Sequence, residues 1–190
     1  MLLAGLLLLP GCAKKGFSGD PAADFAYCLD QNKLKLKIER DRCLHNLAIR
    51  EKDPNMCSYI TGEWTSSSAF TIIDDAVTKN IRNDCYFQVA QRMADAGFAS
   101  LIAAQVCENI EAEAVNDIES GNSLLRDQCF YEVAIITLDS SICSRISDEA
   151  TKEYGANPVY DPATGDLIGY ESYDRSFQEI CEEEVIARTS

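Results

Sequence analysis

Residues 126–146 read R-D-Q-C-F-Y-E-V-A-I-I-T-L-D-S-S-I-C-S-R-I, and residues 40–60 read R-D-R-C-L-H-N-L-A-I-R-E-K-D-P-N-M-C-S-Y-I. The two align without a gap, with 14 residues from the first cysteine to the second. A further copy opens R-N-D-C-Y-F-Q-V-A at Arg82 and closes V-C-E-N-I at Ile110, with 22 residues between its cysteines and its extra eight around Gly97. The shared frame is R-x-x-C-x-x-x-x-A followed by C-x-x-I. An internal repeat of this length means that one supersecondary unit is used several times and buries its apolar face against its neighbours.

The unit reads as a long helix, a tight turn and a short helix. Val77, Ile81, Cys85, Val89 and Met93 recur every fourth residue, as do Leu125, Cys129 and Val133, which places each cysteine on an apolar helical stripe. Asp53 followed by Pro54, and Asp139 followed by Ser140, are helix starts: an acceptor at the cap, with proline tolerated at the first helical position. The second cysteine of each copy is then expected early in the short helix. The fold class expected is all-α, an array of disulfide-linked helical hairpins.

Cys28, Cys43, Cys57, Cys85, Cys107, Cys129, Cys143 and Cys181 make an even set once Cys12 is set aside. Two connectivities compete. Pairing within a copy leaves a mismatch of about 9 Å along antiparallel helices at 1.5 Å per residue, more than a bridge tolerates. Pairing between copies fits better, giving Cys28–Cys43, Cys57–Cys85, Cys107–Cys129 and Cys143–Cys181. The rival set is Cys43–Cys57, Cys85–Cys107, Cys129–Cys143 and Cys28–Cys181. Structural zinc sites favour cysteines two to four residues apart, and the sequence has no such pair and one histidine, so no metal or other cofactor is expected.

The N-terminus bears on the compartment. Leu2 to Leu9 form an almost unbroken leucine run, followed by Pro10, Gly11 and Cys12. The L-P-G-C sequence resembles the lipobox of prokaryotic lipoproteins. The resemblance implies a signal peptide over residues 1–11, cleavage before Cys12 and lipid attachment to the Cys12 sulfur. Residues 12–23, with Gly, Ser and Pro, then read as a tether between membrane and domain, and residues 24–190 as the repeat domain. Disulfides belong to oxidising compartments, which agrees with export to the cell envelope. The repeat frame itself resembles a cysteine-rich helical repeat of uncharacterised secreted archaeal proteins, with half-repeats at Cys28 and Cys181; that resemblance implies an architecture and no activity.

Two segments interrupt the repeat. Residues 61–75 contain Trp64, a serine run and Phe70, and read as an exposed loop. Residues 154–173 carry apolar flanks around D-P-A-T-G-D, in which Asp161-Pro162 starts a turn and Gly165 supplies a positive φ, so a small β-hairpin is expected near the C-terminus. Trp64, Phe70, Tyr160 and Tyr170 are the candidate partner-binding residues: Trp64 and Phe70 as aromatics in an exposed loop, where binding residues often sit, and the tyrosines because tyrosine suits interfaces with one apolar side and one wet end. His45 reads as a surface or helix-packing residue. Neither a C-x-x-C pair nor a G-x-S-x-G frame is present, so no catalytic residue is assigned.

The net charge of -14 repels phosphate backbones, which argues against nucleic acid as a partner. Hydrophobic residues at 46% suffice for a packed core. The function expected is a non-catalytic, lipid-anchored, extracytoplasmic envelope protein that binds or scaffolds a protein partner. The alternatives are a structural coat or spacer protein, and an envelope enzyme with its site in one of the insertions.

Overall fold

A computed structural model describes residues 17–61, 63–65, 78–112 and 124–190. The chain is mostly helical. In order come α1 (Pro21–Leu29), α2 (Lys37–Glu51), a short 3-10 helix η1 (Pro54–Tyr59), strands β1 (Glu63–Thr65) and β2 (Thr78–Asn80), α3 (Ile81–Asp95), α4 (Ser100–Cys107), α5 (Leu125–Thr137), a second 3-10 helix η2 (Ser140–Arg145), strands β3 (Thr151–Tyr160) and β4 (Leu167–Ser176), and α6 (Phe177–Thr189). α3 lies centrally, packed on α2, α4 and α5; α1 covers α2, and α6 covers η2 and α5.

The repeat frame maps onto these elements residue by residue. In the first copy α2 closes with Lys52 in the left-handed region, and Asp53 then caps η1 by accepting from Asn55 N–H. In the third, α5 closes with Leu138 in the same conformation and Asp139 caps η2 through Ser141 N–H. Both turns are fastened to the frame alanine: Asp53 N–H donates to Ala48 O and Asp139 N–H to Ala134 O, each at 3.1 Å. Ala48, Ala90 and Ala134 are fully buried, so a larger side chain there would push the packed helices apart.

The short helices differ between the copies. In the first and third copies they are single 3-10 segments, in which only three residues separate the capping aspartate from its cysteine. In the second copy the eight extra residues are shared out: two lengthen the first helix, two the turn, where Gly97 takes φ 79, and four the second helix, which becomes the α-helix α4. Cys107 therefore ends its helix rather than standing early in it.

Four disulfides join the short helix of one unit to the long helix of the next: Cys28–Cys43, Cys57–Cys85, Cys107–Cys129 and Cys143–Cys181, with Cα–Cα separations of 5.3, 5.7, 5.7 and 5.7 Å. This is the between-copy set. α1 occupies the short-helix place of an incomplete unit at one end, and α6 the long-helix place of another at the opposite end. Four disulfides match an oxidising, extracytoplasmic compartment. Among the described residues, no helix is long and apolar enough to cross a membrane.

A second fastening recurs that the frame had left as an unspecified position. The residue after each frame arginine is Asp41, Asn83 or Asp127, all almost fully buried. Each accepts a hydrogen bond from the backbone N–H just past the frame isoleucine: Thr61 to Asp41 at 3.3 Å, Glu111 to Asn83 at 3.2 Å, Ser147 to Asp127 at 3.0 Å. The side chain thus clasps the exit of its own unit. The second carboxylate oxygen of Asp41 and of Asp127 is buried without a hydrogen-bond partner, so the clasp needs one acceptor and no charge.

Two two-stranded ribbons are added to the helices. β1 and β2 pair antiparallel, with Trp64 opposite Lys79, so the segment expected as a loop begins and is followed by strand. β3 and β4 form the expected hairpin, longer than its sequence signal: Thr151 pairs with Ser176, and Gly165 takes φ 76 in the turn. The polar termini of residues 151–176 carry no apolar alternation, which is why the sequence placed the hairpin only at 154–173.

At the first unit, Asp24 lies buried between α1 and α2. Arg50 donates to it at 2.8 Å, and Ser18 donates through both its backbone N–H, at 2.7 Å, and its hydroxyl, at 2.8 Å. Burial opposes the charge, but the bonds from Ser18, Arg50 and Gly19 outweigh it and hold the Asp24 carboxyl down at about 2. The folded value lies below the ordinary one of 3.8, so this stabilisation is complete above that pH and is lost as pH falls through about 2. Amide exchange in α1 is expected to accelerate over that window before the bridged core responds, and to be insensitive to pH there in an Asp24→Asn variant. Asp127→Asn is expected to unfold in urea close to the parent, as Asn83 already performs the same task, whereas Asp127→Ala leaves Ser147 N–H unpaired and costs about 1–3 kcal/mol.

Candidate functional site

The β3–β4 ribbon carries a group of large exposed apolar side chains at its tip. Ten-residue strands at about 3.3 Å per residue make a ribbon some 30 Å long, which meets the helical body where β4 runs into α6. Two strands alone are marginally stable in water, so the base must be held. Phe177 N–H donates to Ala150 O at 2.9 Å, the Phe177 ring is fully buried and lies 5.1 Å from the Tyr131 ring, and Cys181 one turn on is bridged to Cys143. Arg175, at the foot of β4, makes a forked pair with Glu183 at 2.9 and 2.7 Å, and that fork holds the Glu183 carboxyl below its usual range. Tyr131 donates to Glu184 of α6; burial first, then that bond, raises the phenol above its ordinary value.

The far end is equally fixed. Asp161 N–H donates to Asp166 O and Gly165 N–H to Asp161 O, both at 2.8 Å, and Ala163 N–H donates to the Asp161 carboxylate at 2.7 Å. The turn that results is closed on itself and spends the Asp161 side chain on its own backbone. The pairing shifts between Val159 and Tyr160, so that Leu167 and Ile168 together face the single Tyr160. A bulge of this kind re-aims side chains locally. Tyr160 is 57% exposed, Leu167 49% and Ile168 63%, three large apolar side chains on an ordered tip with only aspartates as charged neighbours.

Of the four aromatic candidates, Tyr160 stands at this tip and Tyr170 lies in β4 opposite Pro158, so the ribbon brings these two positions into one half of itself. Trp64 lies on the other ribbon, in β1, and Phe70 lies outside the described residues. Leu167 and Ile168 were not singled out as contact residues in the sequence. The available signal was that V-Y and L-I flank the turn as consecutive apolar pairs, where a ribbon with one covered face would alternate.

The remaining chemistry-bearing groups are engaged in packing. His45 Nε2 lies 3.0 Å from Asp84 Oδ2 across α2 and α3, and Gln88 donates to the same oxygen at 2.8 Å, which makes His45 a helix-packing residue. All eight cysteines of the described residues are bridged. No group of three or more His, Cys, Asp or Glu among the described residues is placed to hold a metal ion.

No protein-family model, curated protein or solved structure matches this chain. The residues of the tip and base separate cleanly by energetics. Ile168→Ser is expected to shift stability by no more than about 0.5 kcal/mol, and Phe177→Ala to cost about 3–5 kcal/mol, both read from urea unfolding without reductant.

Proposed function

We propose that this chain is a non-catalytic, lipid-anchored protein of the cell envelope that binds a protein partner through the β3–β4 ribbon. In this reading residues 1–11 direct export and are removed, Cys12 carries the lipid, and residues 12–16 tether the domain to the extracytoplasmic face of the membrane, a shorter stretch than the 12–23 expected because residues 17–23 pack onto the domain through Phe17, Ser18 and the start of α1. Phe17 lies under Arg50 and Ser18 is bound to Asp24, so the span from Cys12 to the domain is five residues, a reach of at most roughly 18 Å.

The observation that supports the binding role is the ordered, acid-flanked tip with Tyr160, Leu167 and Ile168 exposed on a ribbon whose base is covalently pinned. A ribbon that served only to shield the end of the helical stack would turn its apolar side chains inwards. A tip built to meet a partner presents them already in place, which lowers the ordering cost of association. Tyr170 belongs to the same contact surface in this reading, while Trp64 and Phe70 belong to a separate insertion.

Two measurements test the two halves of the proposal. Cells supplied with an alkyne-bearing fatty acid should label the protein, and Cys12→Ser should abolish the label and release the chain from the membrane fraction; an unlabelled parent chain contradicts lipid anchoring. A photo-reactive amino acid at position 168 should crosslink on intact cells to one protein, and the crosslink should vanish on Tyr160→Ser with stability unchanged. Crosslinks to lipid alone, or to many proteins equally, contradict the binding role and favour a spacer.

A further inference from the structure

The repeat allows one junction of this protein to be compared with another in the same molecule. α1 stands to α2 and η1 as α4 stands to α5 and η2: Cys28–Cys43 corresponds to Cys107–Cys129, and Asp53 to Asp139. At the inner junction two contacts latch the short helices together. Ser100, at the start of α4, donates to the Asp139 carboxylate, and Arg145 of η2 pairs with Glu108 at the end of α4. Ile142 between them is fully buried.

At the outer junction neither latch can form. The counterpart of Ser100 is Pro21, that of Glu108 is Leu29, that of Arg145 is Tyr59, and that of Ile142 is Met56. Every latch residue but the aspartate has become apolar. The result is an open groove of about 270 Å³ lined by Pro21, Ala22, Phe25, Met56 and Tyr59, with Asp53 and Asn55 at its polar side. Phe25 and Tyr59 meet edge to face at 5.1 Å and form one wall. The junction does not depend on the missing latches, because Asp24 and Arg50 fasten α1 to α2 elsewhere, where the inner junction has Ala103 and Ile136. A fold that can close this junction has here been left open and lined with side chains that favour an apolar guest.

We propose that the α1–η1 groove is a second binding site, independent of the ribbon and of lipid attachment, that takes an apolar side chain flanked by a lysine or arginine from a protein partner. The size fits one side chain, since apolar cavities of about 150 Å³ already accept a benzene ring. The charge of the guest follows from the rim. Asp53 is the one charged residue of the lining, Asp20 directly precedes Pro21 of the lining in sequence, and Arg50 is committed to Asp24 and Glu51, so a cationic flank complements the groove. A second copy of this chain is disfavoured as the guest by the net charge of -14 carried by each molecule.

The test uses three acetylated tripeptide amides, Lys-Phe-Lys, Lys-Leu-Lys and Lys-Ser-Lys, titrated into the oxidised full chain while backbone amide resonances are followed. The Phe and Leu peptides should shift Phe25, Met56 and Tyr59 saturably, and the Ser peptide should bind at least about tenfold more weakly, the discrimination expected from burying one large apolar side chain. The triple variant Pro21→Ser, Leu29→Glu, Tyr59→Arg copies the inner latch; it should keep all four bridges and lose the shifts. Tyr59→Arg alone, at a half-exposed position, gives the same readout if the triple variant folds poorly. Ile168→Ser should leave the titration unchanged, which separates this site from the ribbon. Equal binding of all three peptides, no binding, or an unaffected latch variant overturns the proposal. So do shifts at these residues that grow with protein concentration alone, which would identify a second copy as the guest.

Discussion

The rest of the structure depends on a bridge that leaves its own unit. The first and third repeats turn back on themselves through a left-handed residue, Lys52 or Leu138, with the first cysteine ten residues before the capping aspartate and the second four after it, so the two stand at different heights along the hairpin. Each reaches the neighbouring unit instead. The consequence is architectural: a unit is joined by peptide to itself and by disulfide to the next, and the array is covalently continuous along two routes. At very roughly 3 kcal/mol for each loop closed, four such bridges are large beside the marginal stability of an ordinary domain. They let a chain with two inserted ribbons and a strongly acidic surface hold one rigid shape.

Rigidity at the base frees the periphery. The β3–β4 ribbon exposes apolar residues at its tip because the Cys143–Cys181 bridge and the buried Phe177 hold its foot. The outer groove stays open because Cys28–Cys43 and the Asp24–Arg50 pair already secure α1. In both places the covalent skeleton takes over a task that packing would otherwise perform, and the side chains released from that task are the ones that face solvent.

The sequence made some of this legible and hid the rest for physical reasons. The long helices announced themselves by a four-residue recurrence of apolar residues that included the cysteines, and the between-copy pairing followed from counting rise along those helices. Gly165 revealed its turn because its backbone conformation excludes most other residues. The clasp formed by Asp41, Asn83 and Asp127 was in plain sight but reads as a surface charge, since only burial distinguishes a capping acceptor from a solvated one. The conversion of a single 3-10 turn into α4 was hidden because an insertion of eight does not say how it is divided. The β1–β2 pairing has no alternation to betray it, as three residues are too few. The groove is a difference between two junctions and becomes visible only when Pro21 and Ser100, or Leu29 and Glu108, are known to occupy equivalent places.

The most direct test of the account is to digest the native protein without reductant and identify the cysteine-linked peptides by mass. Four species are expected: Cys28 with Cys43, Cys57 with Cys85, Cys107 with Cys129, and Cys143 with Cys181. A peptide pair joining Cys43 to Cys57, or Cys129 to Cys143, would mean that the units close on themselves, and the two-route continuity on which the ribbon and the groove depend would be wrong.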